Sequence, residues 1–108
     1  MDLETKKEFR AYLLEAGQSI NVASNIISRS GTIEKLLNID LDSILGDYKK
    51  SREFVDNLTL KINNKEISFK AKKVMKGTLL NAARSYALFK KGKDAERYLF
   101  HHYSKTDK

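Results

Sequence analysis

The chain predicts a mainly α-helical single domain with one β-hairpin set into it at residues 58–71, and three observations carry that expectation. Apolar residues recur at spacings of three and four through most of the 108 residues, the period of a helix with one buried face. Proline is absent and glycine occurs five times, so little in the chain forces long helices to break. Between Leu58 and Ala71 the period falls to two, which is the mark of a strand pair.

Taken in order, Leu3 to Ala16 reads as the first helix, with Phe9, Leu13 and Ala16 on one stripe, Tyr12 and Leu14 widening it, and Gly17 closing it. Ser19 is a favourable N-cap for the second helix. Val22, Ile26, Ile27, Ile33, Leu36 and Leu37 make its expected inner side. Asn21, Ser24, Asn25, Ser28 and Arg29 make a polar side whose amides and hydroxyls can meet phosphate oxygens or water equally well. Gly31 inside this helix suggests a bend or a close helix crossing. Asn38 to Leu45 reads as a turn and a short helix capped by Asp40, stopped by Gly46. Asp47 to Asn57 follows as a helix, with Tyr48, Phe54, Val55 and Leu58 as core candidates.

In the predicted hairpin Asn63-Asn64 form the turn, Leu60 faces Ile67, Leu58 faces Phe69, and Lys61 faces Glu66. The central helix then runs from Lys72 to Gly92, and the rest of the chain is organised around it. Met75, Leu79, Ala82, Tyr86 and Phe89 fall within about 80° of arc at ~100° per residue. On the other side Lys73, Arg84 and Lys91 align within roughly 20°, with Gly77 and Leu80 between them and Lys76 at the edge. A last helix is expected from Asp94 to about Tyr103, its inner side Ala95, Tyr98, Leu99 and His102.

Charge narrows the partners. Residues 1–60 hold 8 basic and 10 acidic side chains, net −2, whereas residues 61–108 hold 13 basic and 4 acidic, net +9. Such one-sided charge attracts polyanions, nucleic acid first and an acidic protein surface as the rival. No apolar run is long enough to span a bilayer or to serve as a signal-peptide core, so a cytoplasmic setting without membrane contact is expected. The absence of cysteine removes disulfides, thiolate metal sites and thiol catalysis together. His101 and His102 are adjacent, so on a helix they point ~100° apart and cannot share a metal. Catalytic and phosphate-loop motifs are missing, and no carboxylate pair sits in an apolar context. The expectation is therefore a non-enzyme without cofactor.

The run from Tyr12 to Leu45, through Tyr12, Leu13, Gly17, Ser19, Ala23, Ser28, Arg29, Ile33, Glu34, Leu37, Asp40, Leu41 and Asp42, resembles a known pattern. It looks like the opening of the core-binding, SAM-like domain of phage integrases and other tyrosine recombinases. It is also similar to the helical N-terminal domains of some restriction and HNH-type endonucleases. Thr78-Leu79, Ala82-Ala83, Tyr86 and Phe89 match a later helix of the same pattern. Val22 stands where threonine is usual, Ile27 replaces an aromatic, and the hairpin is extra. The resemblance implies a small orthogonal helical bundle that grips duplex DNA, largely through its backbone. On that expectation Lys73, Lys76, Arg84 and Lys91 contact phosphates, assisted by Ser24, Asn25 and Arg29. The alternative is a phage- or plasmid-type inhibitor that lays the same basic surface on an acidic patch of a nucleic-acid enzyme, with the hairpin edge available for strand pairing.

Overall fold

The protein is described by a computed structural model covering residues 1–45, 48–92 and 94. Four helices follow one another: α1 (Leu3–Glu15), α2 (Ile20–Leu37), α3 (Tyr48–Asn63) and α4 (Phe69–Lys91), with a 3-10 turn at Leu41–Ile44 between α2 and α3. The expected last helix beyond Asp94, the stop at Gly46, and His101 and His102 lie outside the described residues.

The ends of these helices are written in short polar side chains. Asp2 accepts a hydrogen bond from the Thr5 amide at 2.7 Å and caps α1. At its other end Gly17 takes φ 97°, while its own amide and that of Gln18 donate to the carbonyls of Leu14 and Leu13. This doubly bonded ending needs a left-handed residue, which glycine adopts without a Cβ penalty. Ser19 caps α2 through the Val22 amide, Asp40 caps the 3-10 turn through the Asp42 amide, and Ser68 caps α4 through the Ala71 amide. α2 continues unbroken through Gly31, where an added Cβ would meet no neighbouring atom within 4 Å, so no close crossing explains that glycine.

One core joins all four helices. Phe9 and Leu13 of α1, Ala23, Ile26, Ile27 and Ile33 of α2, Leu41 and Ile44 of the 3-10 turn, and Phe54, Leu58 and Ile62 of α3 are all buried. They surround α4, which packs against α1, α2 and α3 in turn. Its buried residues Leu79, Leu80, Ala82, Ala83, Tyr86 and Ala87 span roughly 160° of circumference at ~100° per residue. Leu80 therefore faces the core at 8% exposure, not a solvent-facing basic stripe as expected. Val22 and Tyr48 lie outside the core, each 41% exposed; Ala23 takes the inward position beside Val22, and the buried stripe of α3 begins at Ser51.

Ser30, Ser51 and Tyr86, buried with the core, each have a hydrogen-bond acceptor for the hydroxyl. Ser30 Oγ donates to the Ile26 carbonyl, and Ser51 Oγ donates to the Ile44 carbonyl at 2.9 Å, holding the start of α3 to the 3-10 turn. The Tyr86 hydroxyl donates to Asp42 Oδ1 at 2.7 Å and so ties α4 to the same turn. Burial first, and that hydrogen bond second, push the Tyr86 hydroxyl well above the ordinary tyrosine range. Phe9 stacks on Phe89 at 5.0 Å and meets Tyr86 edge-on at 5.3 Å, which closes the α1–α4 contact. Glu34 of α2 pairs with the Met1 ammonium at 2.8 Å and accepts the Leu41 amide through its other oxygen.

The predicted β-hairpin is absent: residues 58–63 finish α3, residues 64–68 connect, and no strand occurs among the described residues. Leu58 and Ile62 fit both periods while Leu60 fits only the strand, and the helix keeps the first two. Ser51, Phe54, Leu58 and Ile62 form a buried stripe at spacings of three, four and four. Leu60 is given up at 61% exposure, and Ile67 at 40%. Asn63-Asn64 end a helix instead of turning a ladder, with the Asn64 and Lys65 amides donating back to Leu60 and Ile62.

A candidate nucleic-acid interface

α4 carries the basic side chains singled out from sequence, and the bundle treats its two halves differently. Phe69, Lys72, Lys76, Leu80, Ala83 and Ala87 follow one another at spacings of three, four, four, three and four, within about 80° of arc. Leu80, Ala83 and Ala87 are buried. On the same stripe Phe69 is 83% exposed and Lys72 and Lys76 are half-buried. Here the stripe borders a groove of about 470 Å³ whose opposite wall is the last turn of α3, with Thr59, Ile62 and Asn63. Lys73 and Gly77 complete the α4 side. Lys72 Nζ donates to the Asn63 carbonyl at 2.7 Å across the groove, so its charge is anchored there.

The surrounding segment concentrates positive charge. Residues 61–76 contain six lysines, Lys61, Lys65, Lys70, Lys72, Lys73 and Lys76, against the single acid Glu66. Apolar side chains lie among them, since Leu60, Ile67, Phe69 and Val74 are all exposed. Lys90, by contrast, reaches Asp42 at 3.8 Å and lies over the Tyr86 and Phe89 rings, so its charge serves the core end of the helix.

The residues expected to contact phosphate are distributed as follows. Lys73 and Lys76 line the groove, Arg84 is half-buried in the middle of α4, and Lys91 is exposed at its last turn. Lys73 and Lys91 lie on one side of the helix about 27 Å apart at 1.5 Å per residue. Ser24, Asn25 and Arg29 belong to α2. Ser24 accepts a hydrogen bond from Arg10 of α1 at 2.7 Å, which brings another cation to that surface. Ser24 and Arg29 are five residues apart, hence ~140° apart around α2, and they face different flanks. The structure thus joins Lys73 and Lys76 in one site, and on α2 it sets Asn25 and Arg29, four residues apart, on one face with Ser24 on another flank. Lys72 and Phe69, which line the same groove, were not among the residues sequence reasoning selected. Their signal was the i, i+3, i+4, i+7 spacing of Phe69, Lys72, Lys73 and Lys76, hidden by the assignment of Phe69 to a strand.

A larger cleft of about 550 Å³ opens between the 3-10 turn and α3, with Ile39, Ile44 and Phe54 among its walls. Among the described residues its lining has one carboxylate, Glu53, and no histidine, so these residues bring no acid–base pair to it. Among the described residues no three histidine, aspartate or glutamate side chains gather to hold a metal. No described helix is long and apolar enough to cross a membrane. No protein-family model matches the chain, and no curated protein or solved structure does either.

Proposed function

We propose that the protein is a non-catalytic DNA-binding domain that holds the phosphate backbone of a duplex along α4. The observation that carries this reading is the meeting of Lys72, Lys73 and Lys76 in one groove at the start of a helix whose far end bears Lys91. A small anion needs one tight cluster of donors. Cations spread over about 27 Å suit an extended polyanion. The mainly helical bundle agrees in class with the core-binding domains that the Tyr12–Leu45 run resembles, and the SAM-like orthogonal arrangement belongs to the same proposal. Arg84 and, from α2, Arg29 with Ser24 and Asn25 extend the contact where the duplex reaches them.

A second reading has an observation of its own. Leu60, Ile67, Phe69 and Val74 are exposed beside the lysines, and exposed apolar side chains rimmed by charge are a feature of protein interfaces. On that reading the domain docks on an acidic protein surface.

The deciding experiment is a salt titration of binding to a short duplex of random sequence. On the DNA reading log affinity falls linearly with log salt, by roughly 0.9 per phosphate contact. Duplex affinity that is flat from low to moderate salt contradicts it.

A further inference from the structure

The groove between α3 and α4 has a feature that a plain phosphate clamp does not require. Phe69 stands at its mouth with 83% of its surface exposed, on a stripe that turns apolar and buried from Leu80 onward. An aromatic ring at such a position buries little of its area in the fold, so its presence does not serve the core. Lys72, Lys73 and Lys76 lie three, four and seven residues further on, which places them over the next two turns of the same face. Asn63 faces them from α3 and has both an amide donor and an amide acceptor in its side chain. Gly77 closes the α4 side without a side chain, and a Cβ there would meet nothing within 4 Å, so the groove is open at that point.

A ring beside a row of cations is the arrangement that unpaired nucleic acid takes. The ring stacks a base, the ammonium groups follow the phosphates, and a polar amide can meet a base edge. A duplex offers the lysines the same phosphates but keeps its base faces inside the helix, where Phe69 cannot reach them. Building on the DNA-binding reading, we infer that this groove takes an unpaired strand, with one base stacked on Phe69 and the adjoining phosphates held by Lys72, Lys73 and Lys76. The ligand form it selects is a single strand, or the single-stranded flank of a duplex.

The test uses fluorescence anisotropy with labelled oligo(dT) and a blunt duplex of equal length, at one moderate salt concentration and with nuclease-free protein. The wild type is expected to bind oligo(dT) more tightly than the blunt duplex. Phe69→Ala is expected to lower oligo(dT) affinity by roughly tenfold, in the range set by loss of one stacked base, and to leave duplex affinity unchanged. Because the chain has no tryptophan, Phe69→Trp adds a single reporter, whose emission is expected to be quenched by oligo(dT) but not by inorganic polyphosphate. Gly77→Leu fills the groove without altering charge and is expected to weaken oligo(dT) binding at unchanged or higher thermal stability. Equal affinity for both ligands, untouched by Phe69→Ala, overturns the inference while the duplex reading stands. Binding to neither oligonucleotide overturns both, and so does capture by anionic vesicles or by an acidic protein alone that depends on Phe69.

Discussion

The two halves of α4 place the same kind of stripe in opposite settings. From Leu80 to Ala87 the stripe is apolar, covered by neighbouring helices and extended by the Phe9–Tyr86–Phe89 cluster. From Phe69 to Lys76 it is one aromatic ring and two lysines, bordering a groove with, among the described residues, the end of α3 opposite. The helix does not change between the halves; what lies beside it does. A stripe made wholly for packing would have continued as leucine and alanine and been covered. The lysines could not be buried without a large desolvation penalty, so this end of the bundle stays open. Stability therefore belongs to one half of α4 and recognition, on the proposal made above, to the other.

The largest expected effect tests where the core ends. Leu58→Ala removes a fully buried side chain from the α3 stripe and should destabilise the fold by about 2–5 kcal/mol in urea unfolding. Leu60→Ala, two residues on, should change stability by less than about 0.5 kcal/mol. Similar losses at both positions would return the segment to alternating, strand-like burial.

A smaller effect probes the packed half through pH. Burial and the hydrogen bond to Asp42 keep the Tyr86 hydroxyl protonated, raising its pKa above the ordinary value near 10. The unfolded chain releases this proton above about pH 10 while the folded protein retains it, so the stability it contributes is present below pH 10 and lost as pH rises beyond it. Tyr86→Phe should cost about 1 kcal/mol at neutral pH through the lost hydrogen bond. It should also flatten the decline in urea midpoint between about pH 9 and 11. An alkaline decline of equal steepness in both proteins would mean that the Tyr86 hydroxyl is not held in this way.

Much of this architecture was legible in the residues. The caps at Ser19 and Asp40, the glycine ending of α1, and the Met75–Phe89 stripe of α4 were read correctly because each rests on local chemistry at a fixed spacing. The hairpin was misread because Leu58 and Ile62 satisfy periods of two and of four alike, and only the partner helices decide whether Leu60 is covered with them. That error hid the Ser68 cap and the first turn of α4, and with them Phe69 as part of a helical face. Leu80 was misplaced for a different reason. A periodicity argument assigns one buried side to a helix, whereas a central helix touched by three neighbours buries nearly half its circumference. The basic character of the candidate site was visible in the charge distribution, but its enclosure by the end of α3 could come only from the fold.

The separation of roles along α4 is tested most directly by one combined variant, Lys72→Gln with Lys73→Gln and Lys76→Gln, measured for unfolding and for duplex binding across a salt series. Unfolding free energy should stay within about 1 kcal/mol of wild type, since all three side chains lie at the surface or the groove. The slope of log affinity against log salt should become shallower by about 2.7, the contribution of three phosphate contacts. A slope unchanged from wild type, with the fold intact, would contradict the assignment of this half of the helix to recognition.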